Sequence, residues 1–193
     1  MRALLERQHP DLAGYTVRAA DEGWDNFTFR LGTAHAVRLP RRYAAVELIE
    51  KEQRWLPRIA SWVPLDVPAP FRLGEPCELF PWPWSVVPWI FGSTVEDASL
   101  SESDAGIIAS ALRSLHTAPA SGAPTNPHRG VPLARRDALV RERLARLGLP
   151  ELARSWERVV AAPTADDAVW IHGDLHGRNV IVRDGSVVEL IDW

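Results

Sequence analysis

The sequence predicts an α+β chain in which a β-rich section precedes a mainly helical one. Three observations carry that expectation. Short runs of β-formers separated by turn residues fill residues 15–39 and recur at 71–73 and 85–87. Apolar residues at 3–4 spacing dominate residues 101–161. The chain then closes on a loop of His, Asp and Asn followed by two valine-rich runs joined through Asp184 and Gly185, a strong short-range hairpin signal.

The totals fit a globular protein of 193 residues with 46% hydrophobic and 24% charged residues. That length supports a substantial core in one domain or two small lobes. A net charge of −3 gives no electrostatic footprint for nucleic acid. No run is long and apolar enough for a signal peptide or a membrane span, so the sequence predicts no membrane partner. One cysteine, Cys77, excludes an internal disulfide and points to the reducing cytoplasm. Sixteen Pro, nine Trp and a single Lys, Lys51, among 22 Lys and Arg residues are unusual.

In chain order, residues 1–14 predict a short amphipathic helix (Leu4, Leu5, Leu12) interrupted at His9 and Pro10. Strands are expected at 15–18, 27–31 and 34–39, with a turn at 21–26 that carries one glycine, Gly23. No Gly-rich phosphate loop or Walker motif is present, so any phosphate cover must use backbone N–H groups near Asn26 and Phe27. Residues 44–60 predict a helix with Ala45, Leu48, Ile49, Leu56 and Ile59 on one face. Glu52 lies on that same stripe. A carboxylate on a buried face wants a cation, and Arg38 on the third strand is the available one, with Glu47 or Glu50 as alternative partners for it.

Residues 64–89 are punctuated by proline. A strand at 71–73 and a buried strand at 85–87 lead into a connecting segment, where Pro88 offers a carbonyl and Ile90 an N–H. A polyproline ligand is the alternative for this stretch, but it lacks low-complexity surroundings, and its tryptophans read as core or interface residues. Overlapping capping-box signals at Ser99, Ser101, Glu102 and Asp104 start a helix with Ile107, Ile108, Ala111, Leu112 and Leu115 as its buried stripe. His116, at its end, reads as a packed, hydrogen-bonded core histidine. Residues 118–132 form a Pro/Gly/Asn loop suited to a lid, a substrate loop or a surface excursion. Helices at 133–147 and 150–161 present Arg-rich, solvated faces. Asp166 and Asp167 then precede a strand at 168–171.

The chemistry is concentrated in residues 172–192. His172-x-Asp174-Leu175-x-x-x-Asn179 fits the kinase catalytic-loop pattern, in which the Asp takes the proton of an attacking hydroxyl and the Asn holds Mg²⁺. The hairpin returns the chain so that Asp192 stands beside Asn179, where a second oxygen ligand is needed. Two rival readings are weaker. Asp174 and His176 resemble the first metal motif of metallophosphoesterases, but the further metal motifs of that family do not follow. His172 and His176 as a zinc pair lack the third and fourth protein ligands that zinc needs.

Together, the N-terminal strands, Arg38 with Glu52, the Pro-Trp stretch, the helix ending at Leu115 and His116, and the motif from His172 to Asp192 resemble the aminoglycoside phosphotransferase family over residues 23–193. The resemblance implies a protein-kinase-like bilobal fold, with a nucleotide-binding lobe at 1–88 and an incomplete, mainly helical catalytic lobe at 89–193. It implies Asp174 as general base, supported by His172, Asn179 and Asp192 as Mg²⁺ ligands, and Arg38 with Glu52 as the phosphate-anchoring pair. Pro88 and Ile90 become the hinge contacts of the nucleotide base. The implied reaction moves the γ-phosphoryl group of ATP or GTP to a hydroxyl of a small molecule, an aminoglycoside antibiotic first. Macrolide, choline or homoserine-type alcohols are alternatives, as is a non-catalytic nucleotide-binding remnant. Arg38 departs from the Lys usual at its position. Family members also continue past the last metal ligand, which predicts exposed apolar faces on the helices at 101–117 and 133–161. Glu96 and Asp97 are ambiguous candidates for an acidic acceptor pocket.

Overall fold

A computed structural model describes all residues except 23, 97–99, 127–128 and 164–167, and it leaves out the side chains of 21 and 22. Ser99, Asp97, Asp166, Asp167 and Gly23 therefore lie outside the described residues. Helix α1 (Arg2–Gln8) and a 3₁₀ turn (Pro10–Leu12) break at His9 and Pro10 and bury Leu4, Leu5 and Leu12. Strands β1 (Val17–Glu22), β2 (Asn26–Leu31) and β3 (His35–Pro40) form a meander, and β5 (Trp84–Pro88) and β4 (Arg72–Gly74) extend it. The resulting antiparallel sheet has the order β1-β2-β3-β5-β4. β1 starts two residues later than the spacing predicts and runs into the expected turn, with a bulge between Ala19 and Asp21.

This sheet owes its core to alternation. Leu31, Val37, Leu39, Trp84 and Val86 join the leucines of the N-terminal helical turns in one apolar cluster. Gly74 is required by that packing, because an added Cβ would fall 1.9 Å from the Trp84 ring. The tryptophans divide: Trp55, Trp84 and Trp170 are buried, whereas Trp24 is exposed and stacks under Arg42.

Helix α2 (Val46–Trp62) begins one 3₁₀ turn after its predicted start and tolerates Pro57 inside it. Its buried face is Ile49, Trp55, Leu56 and Ile59. Leu48, expected on that face, is exposed, and Trp55, two turns later, is buried there instead. Gln53 Nε2 donates to the Trp84 carbonyl (2.9 Å) and Ser85 Oγ (3.1 Å), which ties α2 to β5.

Helix α3 (Glu102–Thr117) starts at a capping box in which Ser101 and Asp104 bond reciprocally. Asp104 is buried, and its second oxygen accepts the Val187 N–H at 2.9 Å. These bonds hold its carboxyl below the usual range, the Ser101 hydroxyl contributing most. Ala111 and Leu115 are buried, while Ile107, Ile108 and Leu112 are half-buried. His116 is exposed and makes no packed histidine core, since the last turn aims it away from the Leu115 face. Helices α4 (Asp137–Leu147) and α5 (Pro150–Ala161) are separated by Gly148 in a left-handed C-cap (φ 66°). Neither buries a residue, and Leu139, Leu147, Leu152 and Val159 are exposed.

A second sheet, β6-β7-β8, joins Ser93–Thr94, Val180–Arg183 and Ser186–Leu190. The β7–β8 hairpin turns at Asp184 (φ 52°) and Gly185 (φ 77°), the double left-handed geometry that an Asp-Gly pair accepts. Its inner residues Val180, Val182, Val187 and Leu190 pack with Leu56, Ile59, Val63, Ala111, Leu115 and Trp170 in a second apolar cluster. The core of the C-terminal elements thus includes the second half of α2. Residues 168–171, predicted as a strand, pair with no strand among the described residues; Trp170 instead donates its Nε1–H to the Pro119 carbonyl at 2.8 Å. No helix among the described residues is long and apolar enough to cross a membrane.

Candidate active site

The loop after Ile171 is held by side-chain and backbone hydrogen bonds, two of which run to Ile191, just past β8. His172 is buried, donates from Nε2 to the Ile191 carbonyl at 2.9 Å, and stacks on the Trp193 ring at 4.5 Å. That bond places the proton on Nε2 and leaves Nδ1 to accept the Asp174 N–H (3.4 Å). Burial pushes the His172 imidazole down, and the nearby charges of Asp192 and Asp174 only partly oppose this. It is a neutral brace for the loop.

Asn179 ends the 3₁₀ turn Gly177–Asn179 and is buried. Its Nδ2 donates to the Asp174 carbonyl at 3.0 Å, while its own carbonyl accepts the Ile191 N–H at 3.0 Å. The first bond turns the Asn179 amide oxygen away from the loop, and the second brings the chain of Asp192 alongside it. Asp192 adopts a left-handed backbone (φ 62°), uncommon for a non-glycine residue and found at sites that aim a side chain. Asn179 and Asp192 thus provide an amide oxygen and a carboxylate, hard donors of the kind Mg²⁺ takes when phosphates and water complete its shell. The donor set fits the ion. His172 and His176 have no third His, Cys, Asp or Glu grouped with them among the described residues.

On the facing sheet, Arg38 Nη1 donates to Glu52 Oε2 at 2.7 Å, with both side chains largely buried. Glu47 is instead bound to Lys51, and Glu50 is exposed, so the stripe position of Glu52 decides the pairing. Burial pushes the Glu52 carboxyl up; Arg38 offsets part of this, and the charges of Asp192 and Asp25 add to it. Asp192 is therefore close enough for its field to reach the Arg38–Glu52 pair.

The remaining expected residues are placed differently. Phe27 opens the predicted strand and Asn26, expected in the turn, joins it, so both lie within β2 in register with Leu39 and Pro40. Asn26 is buried, and its Oδ1 has no partner among the described residues. Pro88 and Ile90 border a cavity of about 240 Å³ with Phe91, Asp66, Arg183 and Glu189. Glu189 is buried there, and its carboxyl is pushed up to about 8 by burial first and by Asp66 second, Arg183 pulling the other way. A larger cleft of about 430 Å³ between Gln8, Leu73 and Cys77 holds none of these groups.

Two arginines at the loop are absent from the sequence expectations. Arg129, from the 118–132 segment, bonds to the Gly173 carbonyl at 2.6 Å and to Asp174 Oδ1. Its guanidinium holds the Asp174 carboxyl below the usual range. Arg178 bonds to both oxygens of Glu96 at 2.8 Å, so Glu96 braces the loop and is no free pocket acid. An Arg-Gly pair in a proline-rich loop was the available signal for Arg129, but its partner lies 45 residues away.

The family model of the phosphotransferase enzyme family matches residues 16–193. No curated protein matches the chain by sequence. Among solved structures, the GDP complex of wild-type aminoglycoside 2'-phosphotransferase-IIIa is similar at a TM-score of 0.73 and 19% identity, over 98% of this chain and 70% of that one. The apoenzyme of macrolide 2'-phosphotransferase MphH from Brachybacterium faecium gives 0.64 and 23%, over 100% and 71%. The streptomycin-ATP-APH(2")-IIa ternary complex gives 0.58 and 21%, over 92% and 64%. These likenesses establish the fold of aminoglycoside and macrolide kinases, protein-kinase-like in architecture. With the family model spanning nearly all its length, the chain belongs to the phosphotransferase enzyme family.

Proposed function

We propose that this protein transfers the γ-phosphoryl group of ATP or GTP to a hydroxyl of a small molecule, an aminoglycoside being the first acceptor to test. The observation that carries the reading is the pair of hydrogen bonds around Asn179: its Nδ2 donates to the Asp174 carbonyl, and its own carbonyl accepts the N–H of Ile191, the residue before Asp192. Residues 1–88 and 89–193 are the two lobes, with the nucleotide between them. Arg38, held by Glu52, pairs with donor phosphates, and backbone N–H groups near Asn26 and Phe27, at the start of β2, cover them. The Pro88 carbonyl and Ile90 N–H meet the base.

Asn179 and Asp192 would hold Mg²⁺, which when bound neutralises phosphate oxygens during transfer. Asp174 takes the proton of the acceptor hydroxyl as its oxygen bonds to the γ-phosphorus. The bond from that phosphorus to the bridging oxygen breaks, and the nucleoside diphosphate leaves. His172 keeps the loop in register through the Ile191 carbonyl. With a single cysteine, the chain suits the cytoplasm.

The test is phosphate transfer from Mg-ATP and Mg-GTP to a panel of aminoglycosides, macrolides and simple amino alcohols, with Asp174→Ala beside the wild type. A general base contributes on the order of 10²–10⁴-fold, and a loss of that size is expected. Nucleotide binding should persist, read as a rise in melting temperature that corresponds to about 2.7 kcal/mol at a hundred times the Kd. Full turnover by Asp174→Ala would sink the assignment. Binding without transfer to any acceptor would favour a nucleotide-binding role.

A further inference from the structure

The segment between α3 and α4 is fastened to the catalytic loop at both ends. Near its start, the Pro119 carbonyl accepts the Trp170 Nε1–H. Near its end, Gly130 has a left-handed backbone (φ 65°), and an added Cβ would lie 2.7 Å from Ile171 Cδ1. Gly173 (φ 85°) faces the Arg129 side chain, with Arg129 Cβ 3.6 Å from where a Gly173 Cβ would be. Asn126 Oδ1 accepts the Arg129 N–H at 3.1 Å. Two glycines with left-handed backbones and two hydrogen bonds are thus spent on laying this arginine along residues 171–174.

The donor inventory of the guanidinium gives this arrangement its meaning. Nη1 uses both of its N–H bonds, one on the Gly173 carbonyl and one on Asp174 Oδ1. The Nε–H and the two Nη2–H groups have no partner among the described residues, and the side chain is 45% exposed. Asp174 Oδ2 is likewise without a hydrogen bond among them. One oxygen of the carboxylate is therefore pinned and the other is open, beside three unused cationic donors. A planar guanidinium is suited to this double role, since it can hold a carboxylate while presenting a fork to phosphate oxygens.

We propose that Arg129 is a further functional residue of the phosphotransfer reaction: it orients Asp174 through Oδ1 and offers its remaining N–H groups to the transferring phosphoryl group. The proposal rests on the phosphotransfer reading above. Asp174 Oδ2 then takes the proton of the acceptor hydroxyl, while Arg129 meets the charge that builds on the equatorial phosphoryl oxygens as the bridging bond breaks. Arg129 thereby belongs to the catalytic apparatus although it lies outside the 172–192 motif.

The experiment compares wild type, Arg129→Ala, Arg129→Lys and, as a charge-matched control on exposed α4, Arg143→Ala. Loss of one preorganised donor to developing charge typically costs 10²–10³-fold, so Arg129→Ala is expected to lower kcat by about 100-fold, with donor KM and the nucleotide-induced rise in melting temperature little changed. Arg129→Lys should fall between, because an ammonium cannot hold Asp174 and present a fork together. Guanidinium ion added to Arg129→Ala should restore part of the lost kcat, which a merely structural role would not allow. A kcat within about twofold of wild type in Arg129→Ala overturns the proposal. So does a rise in kcat, which would make Arg129 a block on Asp174. An active wild type with either outcome leaves phosphotransfer standing and removes only the Arg129 role; an inactive wild type on every acceptor overturns both.

Discussion

Helix α3 and the pair α4–α5 come from sequence of the same character, yet the structure treats them differently. Helix α3 buries Ala111 and Leu115 against the β7–β8 hairpin and locks its N-terminus to that hairpin through Asp104 and the Val187 N–H. α4 and α5 are joined to each other by a polar network in which Asp137 accepts from Arg141 and Trp156 and Arg141 reaches Glu157, and Leu139, Leu147 and Leu152 stay exposed. Periodicity makes all three helices, but burial happens only where another element offers a partner face. The consequence is that Asn179 and Asp192 rest on a packed support, whereas the flank of the 172–179 loop is held by a few polar ties.

The strongest way to break this comparison is to truncate one leucine on each side. Leu115→Ala should cost about 3 kcal/mol, as core leucines do, whereas Leu152→Ala should stay within about 0.5 kcal/mol. Denaturant melts of the two variants decide it. Equal losses would mean that the α5 face is covered in solution.

A smaller effect is expected at the border between the sheets. Arg38→Ala leaves the Glu52 carboxylate buried without its cation and should cost about 2 kcal/mol, less than a fully buried pair because both side chains keep some exposure. It should also weaken Mg-nucleotide binding by calorimetry. Unchanged melting and binding would separate the pair from the site.

A third effect is a pH slope from the hairpin itself. The Glu189 carboxyl titrates near 8 in the folded protein against an ordinary value near 4.5, so the folded state binds this proton more tightly than the unfolded state. Its contribution to stability is complete below about pH 4.5, declines as pH rises through 8, and is lost above, with a slope of up to about 1.4 kcal/mol per pH unit. Asp66 and Arg183 are the charges that face it. Melting across this window should flatten in Glu189→Gln; an unaltered profile would show that Glu189 is not the group responsible.

Much of the site was legible because its parts are local. The catalytic turn and hairpin span the 21 residues from His172 to Asp192, and an Asp-Gly turn between two valine-rich runs is enough to return the chain beside Asn179. Helical spacing placed Glu52 on the inner stripe of α2, where Arg38 meets it. Exposed Leu48 and His116, the unladdered segment at 168–171 and the short strand β6 were not legible, since each depends on what a neighbouring element presents. Local spacing and turn chemistry, with their short-range sterics, determined the sequence of elements, the catalytic turn and the kinase-like character of the chain. Only the tertiary structure decided that Arg129 reaches Asp174, that Glu96 braces Arg178 and that α4 and α5 stay uncovered, because contacts between distant segments depend on packing that no window of sequence contains.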